Sequence, residues 1–367
     1  MLMIKRILPL LLLSAPIYAN HDIKLSAFGS FVYISDDIDN PIDSTDFSVL
    51  GVQASKQFGD FRAVAQVRII GANDYEPELN WAFLEYAVDD TTLITVGRFI
   101  TSFYEYSLSS YVGNSYIWTR PPTAVYGIDF DSIDGINLRK QFTFDEYFAS
   151  FEVSYGERKE PFIVGGIRRE GEVHDFIGVS MRLEDNHWTY RFNYTKSKLT
   201  YDTTFFSVLK YQDSSPPPTF LEQMDFVEDL VISSSFYVSY ENDWVIEFEL
   251  ETMHVDETYL NRDFGYYVSI GYQFGTLIPY VLYTRAETKL SYTPDEFHTI
   301  DPRPFWGTAY KGFYEISELD YQSIGVGFRY DISTNFSMST QVEYFESSIP
   351  KPDESKVIGS FSLDFTF

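Results

Sequence analysis

The sequence predicts an all-β protein, a sixteen-stranded antiparallel transmembrane β-barrel with its third long connection folded inward. Three observations predict it. Segments that alternate apolar and polar residues recur along the whole 367-residue chain. Short turns and long connections between those segments interleave strictly. Aromatic residues make up 18% of the chain, with 29 Tyr and 33 Phe, yet no long apolar run follows the N-terminal segment. Alternating lipid-facing and lumen-facing residues produce that composition, because the average hides the apolar face.

Residues 1–19 read MLMIKRILPLLLLSAPIYA. Lys5 and Arg6 form a positive start, an apolar stretch follows, and Ala19 is a small residue at its end. This is the pattern of a secretory signal peptide cleaved after Ala19. The apolar run is far short of the ~20 residues that span a bilayer as a helix. The barrel is then expected to occupy residues 20–367. The chain has no cysteine, so neither disulfides nor a thiol nucleophile is available.

The strands show their two faces plainly. In the third, Phe61, Ala63, Ala65, Val67 and Ile69 alternate with Arg62, Gln66 and Arg68. In the ninth, Trp188, Tyr190, Phe192 and Tyr194 point outward while Thr189, Arg191, Asn193 and Thr195 point inward. In the fourteenth, Gln322, Ile324, Val326, Phe328 and Tyr330 oppose Ser323, Gly325, Gly327 and Arg329.

Tight connections are expected at Gly59-Asp60, Asp89-Asp90, Phe144-Asp145, Asp185-Asn186, Asn242-Asp243, Gly275-Thr276 and Ser333-Thr334. Long ones are expected at 35–46, 71–77, 100–131, 157–172, 202–231, 254–263, 288–317 and 347–354. Seven turns interleaved with eight long connections require sixteen strands. Outer-membrane barrels segregate loop length by end in this way, and a soluble sandwich has no reason to. Within 202–231, three prolines followed by Thr219-Phe-Leu-Glu222 form a capping-box pattern that suggests a short helical turn.

The third long connection is the most unusual stretch. Residues 97–127 read GRFITSFYEYSLSSYVGNSYIWTRPPTAVYG. A connection of that length is uncommon in a compact domain unless it is functional, disordered or packed, and its aromatic richness argues against disorder. Pro121-Pro122 stiffens its return, since each ring fixes φ. The expected constriction loop is 100–131.

Charge excludes one class of partner. Removing Lys5 and Arg6 from the 27 basic residues leaves 25 against 54 acidic ones, a mature net charge of −29, which rules against nucleic acid. The acidic cluster at 35–46 reads as solvated surface, with divalent-cation bridging to anionic lipid headgroups as the sharper alternative.

The last segment, KVIGSFSLDFTF, sends Val357, Gly359, Phe361, Leu363, Phe365 and Phe367 to one face and ends on Phe367. With the Gly97-Arg98 strand end and the stretch YIWTRPPTAVYG at 116–127, the chain resembles the Gram-negative outer-membrane porin superfamily. The stretch is similar to a segment of porin-like proteins of marine gammaproteobacteria. The resemblance covers the mature chain in architecture and is sharp only at those motifs. It implies a homotrimer in outer-membrane lipid and lipopolysaccharide, both termini periplasmic, and passive diffusion of small hydrophilic solutes and ions. A substrate-specific channel and a closed surface receptor or structural barrel are the alternatives.

His21, His174, His187, His254 and His298 fall in no nucleophile, zincin or metal-ligand spacing, so no catalytic residue, metal or cofactor is assigned. Asp129, Asp131 and Asp134 are closely spaced but fail the EF-hand pattern. Alternation places Arg62, Arg68, Arg98, Arg139, Arg182, Arg191 and Arg329 on the polar face, where basic side chains set anion preference. Opposing acids are Glu247, Glu249, Glu251 and Glu343 by the same parity, and Glu105 in the connection. The candidate constriction is therefore Arg62, Arg68, Arg98, Glu105, Tyr104, Tyr106, Arg120, Arg139 and Arg329, with Arg62, Arg68 and Arg98 expected opposite Glu105. Tyr104, Tyr106, Tyr111, Tyr116 and Trp118 form either a ladder for a sugar or aromatic solute or a surface packed on the wall.

Overall fold

The computed structural model describes residues 23–35, 47–126, 132–164, 167–202, 226–256, 260–290, 295, 319–349 and 354–367. The expected signal peptide, most of the acidic 35–46 stretch, the helical turn at 219–222, Asp129, Asp131, His21 and His298 lie outside the described residues. Strands β1 (Ile23–Ser35), β2 (Val49–Phe58), β3 (Phe61–Ile70), β4 (Glu78–Asp89), β5 (Thr92–Ile100) and β6 (Ser132–Phe144) form the first part of the wall. They are followed by β7 (Tyr147–Val164), β8 (Ile167–Glu184), β9 (Trp188–Asp202), β10 (Phe226–Glu241) and β11 (Trp244–Asp256). The last five are β12 (Leu260–Tyr272), β13 (Leu277–Leu290), β14 (Leu319–Ser333), β15 (Phe336–Ile349) and β16 (Glu354–Thr366).

Each strand pairs antiparallel with its sequence neighbours, and β1 pairs with β16 from Phe28↔Thr366 to Ser35↔Gly359, closing the barrel. Closure leaves no free sheet edge, so every strand has backbone partners on both sides. The seven tight connections occur where expected, three of them displaced by one residue, at Asp90-Thr91, Asp145-Glu146 and Thr334-Asn335.

One connection departs from expectation. Residues 157–172 are mostly strand: β7 and β8 continue as a hairpin through Arg158↔Val173 and Lys159↔Glu172 to Val164↔Ile167. The charged run ERKE at 157–160 reads as loop by polarity. A strand pair carries charge without penalty where it stands in water, and Lys159 faces Glu172 at 3.9 Å at a level where β9 still pairs with β8 through Glu172↔Thr200.

The two faces of the wall differ as alternation predicts. Val67, Val96, Leu138, Met181, Val281 and Val326 are exposed on the outside. Between them in sequence, Gln66, Asn137, Ser180, Glu249, Ser269 and Ser362 are buried inside. Aromatic pairs flank the short turns on the exterior: Phe58–Phe61 at 6.1 Å, Phe144–Tyr147 at 6.0 Å, Trp244–Tyr272 at 4.9 Å and Phe336–Phe367 at 5.5 Å. An apolar band edged by an aromatic girdle suits hydrocarbon bounded by headgroups.

Candidate functional site

The β5–β6 connection is described from Thr101 to Tyr126, and its partners belong to the polar face of the wall. It leaves β5 just after Gly97, whose φ of 127° a residue with a side chain would adopt only under strain, and whose added Cβ would lie 2.5 Å from the Ala82 carbonyl oxygen. The chain then reaches β11, where Glu247, Glu249 and Glu251 project at i, i+2 and i+4 and are buried. Tyr106 donates to Glu247 at 2.7 Å, Tyr126 to Glu249, and Tyr104 to Glu251. The Glu105 backbone N–H adds a 2.9 Å bond to Glu249. Burial pushes the Tyr106 and Tyr126 phenols well above their ordinary values, and the adjacent Glu247 and Glu249 charges push the same way. Both phenols therefore remain donors at neutral pH.

The rest of the connection is tied to the wall further round. Ser235 donates to the Phe103 carbonyl at 2.6 Å, and the Trp118 indole N–H to Ser269 at 2.9 Å. A single-turn helix, Gly113–Ser115, lies against β15 and β16, where Asn114 bonds Ser337 and Thr366. Gly265 meets the returning part of the connection so closely that a Cβ there would stand 1.7 Å from the Ala124 carbonyl oxygen. Tyr104, Tyr116 and Trp118 are buried with Phe103, Val125 and Tyr267 in one cluster. Trp118 stacks on Tyr116 at 6.0 Å and meets Tyr267 edge-on at 5.1 Å. These rings are packed on one another and on the wall; they do not form an open ladder.

The expected constriction residues are spread among several partners. Arg62 pairs with Glu85 at 2.5 Å, Arg68 with Glu78, Arg98 with Asp134 through two bonds of 2.8 and 2.9 Å, and Arg139 with Glu152 at 2.7 Å. Glu105 is engaged by Arg182 at 2.6 Å and by Arg191 at 3.4 Å, so the expected opposition of Arg62, Arg68 and Arg98 to Glu105 is corrected. The physical reason is barrel stagger: Glu105 lies at the β8–β9 wall, while the three arginines stand on β3 and β5 with carboxylates on adjoining strands. Arg68 also lies over the Tyr111 ring at 4.3 Å, and Arg120 over Phe47 at 4.8 Å. Arg329 donates to the carbonyls of Tyr116 at 2.6 Å and Gly113 at 3.2 Å, clamping the helical turn. Asp134 serves as an arginine partner, and among the described residues no group of three His, Cys, Asp or Glu is arranged to hold a metal ion.

Opposite the packed side, a cavity of about 190 Å³ remains between the connection and β2–β7. Arg62, Glu85, Thr95, Asn137, Arg139 and Glu152 supply its polar lining, and Val64, Phe83, Phe99 and Leu108 its apolar lining. Glu85 and Glu152 were missed by sequence reasoning. The observed turn at Asp145-Glu146, one residue on from the expected Phe144-Asp145, shifts the β6–β7 register so that Arg139 stands opposite Glu152 instead of Ser150.

No protein-family model matches the sequence, and no curated protein does. Solved structures match in fold. The Vibrio cholerae outer membrane protein OmpT with loop L8 deleted has 10% identity and a TM-score of 0.57 over 94% of this chain and 99% of its own. OmpF of Salmonella typhi, in complex with daunomycin, has 13% identity and a TM-score of 0.57 over 94% and 97%. The anion-selective porin of Comamonas acidovorans has 9% identity and a TM-score of 0.53 over 94% and 98%. At such identities the likeness speaks for architecture: this chain has the sixteen-stranded barrel fold of the outer-membrane porins.

Proposed function

We propose that this protein is an outer-membrane channel through which small hydrophilic solutes diffuse passively. Residues 1–19 are its export signal, and the connection 101–126 lies inside the barrel as its constriction. The observation that carries the reading is the asymmetry of that connection. Most of its side-chain bonds go to the polar face from β8 round to β16, while beside β2–β7, where it makes the Ser102–Glu152 bond and packs Tyr111 against Arg68, a cavity bounded by paired charges remains. An apolar exterior with an aromatic girdle supports insertion among outer-membrane lipid and lipopolysaccharide, with the short turns and both termini periplasmic. One structural neighbour, OmpT of Vibrio cholerae, has been described in a trimer form, and a homotrimer is the assembly proposed here.

Single-channel recording in planar bilayers tests the reading. Small, discrete conductance steps are expected, because on this reading the connection narrows the lumen. Complete absence of steps from inserted protein would favour a closed receptor or structural barrel instead.

A further inference from the structure

The outside of the wall carries a groove of about 350 Å³ beside the short turns that follow β6 and β8. Two register rows build it. Phe142, Ala149, Leu183 and Tyr190 stand side by side on β6, β7, β8 and β9, and Phe151, Met181, Phe192 and Phe236 form the next row on β7, β8, β9 and β10. Every residue of both rows lines the groove, and alternation puts both rows on the exterior, where Phe142, Met181, Leu183 and Phe192 are exposed. The first row is bulky except at Ala149, so it is notched there. A lone small residue among long ones leaves a hollow, whereas Ala54, Ala65 and Ala82, which share one row on β2, β3 and β4, leave a flat wall.

The hollow takes an apolar occupant. Arg182 and Arg191 border it, yet their guanidinium groups lie across the sheet on Glu105. Lys140, opposite Phe151 in register, sends its ammonium the other way, to Thr91 at 2.7 Å and Thr92 at 2.6 Å. Toward the turns, Phe144 and Tyr147 pair at 6.0 Å, and Trp188 stacks on Tyr190 at 6.0 Å. Such rings mark the headgroup boundary, so the groove lies just inside the apolar band, where acyl chains begin.

A water-soluble ligand gains nothing from such a surface, and a rigid protein face would bridge the long side chains and leave the hollow unfilled. A flexible chain enters it, and the unbranched Met181 side chain adapts around that chain. The driving force is packing, because a lipid chain is in hydrocarbon whether or not it occupies the groove. Resting on insertion into outer-membrane lipid, and not on conduction, we infer that the groove is a binding site for one acyl chain of a phospholipid. The lipid belongs to the leaflet on the side of the short turns, with its headgroup at the level of Tyr147 and Trp188.

The test is native mass spectrometry of the barrel folded with palmitoyl-oleoyl phosphatidylethanolamine and released from detergent, counting the lipids retained. The unaltered protein should keep one lipid per barrel. Ala149→Phe, which fills the notch, should lower retention several-fold, and Ala149→Leu should lower it less. Val326→Phe, which adds a ring to the outer wall away from the groove, should leave it unchanged. Heat-shifted migration in SDS verifies that each variant is a folded barrel. Equal retention in both Ala149 variants, an equal loss in Val326→Phe, or retention of glycerophosphoethanolamine, which has the headgroup without chains, would overturn the inference. Loss of the lipid whenever barrels associate would overturn it too, by assigning the groove to a second copy. An unaltered chain that does not enter lipid vesicles would overturn the outer-membrane reading, and the inference with it.

Discussion

Trp118 donates its indole N–H to Ser269 at 2.9 Å, joining the β5–β6 connection to β12 across 151 residues of chain. Both groups are buried, and the ring lies between Tyr116 and Tyr267. The bond fixes where the connection runs, because a buried indole N–H without an acceptor is costly.

Trp118→Ala should therefore loosen the connection more than any single hydrogen-bond change. Truncating a large buried ring costs about 3–5 kcal/mol, whereas Ser269→Ala removes one neutral acceptor, worth about 1–3 kcal/mol when the donor stays buried. The expected outcome is larger and noisier conductance for Trp118→Ala and a smaller change of the same sign for Ser269→Ala. Unchanged single-channel steps in Trp118→Ala would show that the connection does not limit the current.

Alkali should release the same connection. The Tyr106 and Tyr126 phenols have folded values raised by burial and by Glu247 and Glu249. A raised folded value means that the stability they contribute is fully present below their unfolded value of ~10 and is lost as pH rises through the folded values. Phenolate absorbance should thus show these two tyrosines ionising later than the exposed ones, with conductance rising as they do. Tyr106→Phe, which removes the donor to Glu247, should bring that rise to lower pH. Conductance independent of alkaline pH would refute the phenol–carboxylate latch.

The two faces of the wall should respond oppositely to one substitution. Val326 is 56% exposed on the outside of β14, and Val326→Arg there should cost roughly 2–4 kcal/mol if it sits near the bilayer midplane. Thr95→Arg places the same side chain in the cavity, so the barrel should assemble and its ion selectivity should shift toward anions. Heat-modifiable migration and reversal potential in asymmetric salt check the two outcomes. Poor assembly of Thr95→Arg with normal assembly of Val326→Arg would invert the assignment of faces.

Much of this architecture is local and was legible without coordinates. Period-two alternation is a property of consecutive residues, so Arg62, Arg139, Glu247 and Arg329 could be placed on the polar face from their neighbours alone. The seven short turns fixed the strand count, but the register beside them needed the exact turn: the expected Phe144-Asp145 would set Arg139 opposite Ser150, and the observed turn one residue on sets it opposite Glu152. The error at 157–172 came from the same local reasoning, since a charged strand pair in water and a charged loop have the same composition.

The route of residues 101–126 was decided elsewhere. Glu105 meets Arg182 and Arg191, at separations of 77 and 86 residues, and Tyr104 meets Glu251 at 147. Such partners depend on the shear and curvature of the closed barrel, which no window of sequence encodes. The sequence by itself determined that a barrel forms and which side chains face its lumen, because pleating and turn geometry act over a few residues. Only the tertiary structure decided which charges neutralise one another and which strands residues 101–126 pack against, because those outcomes depend on distances across the barrel.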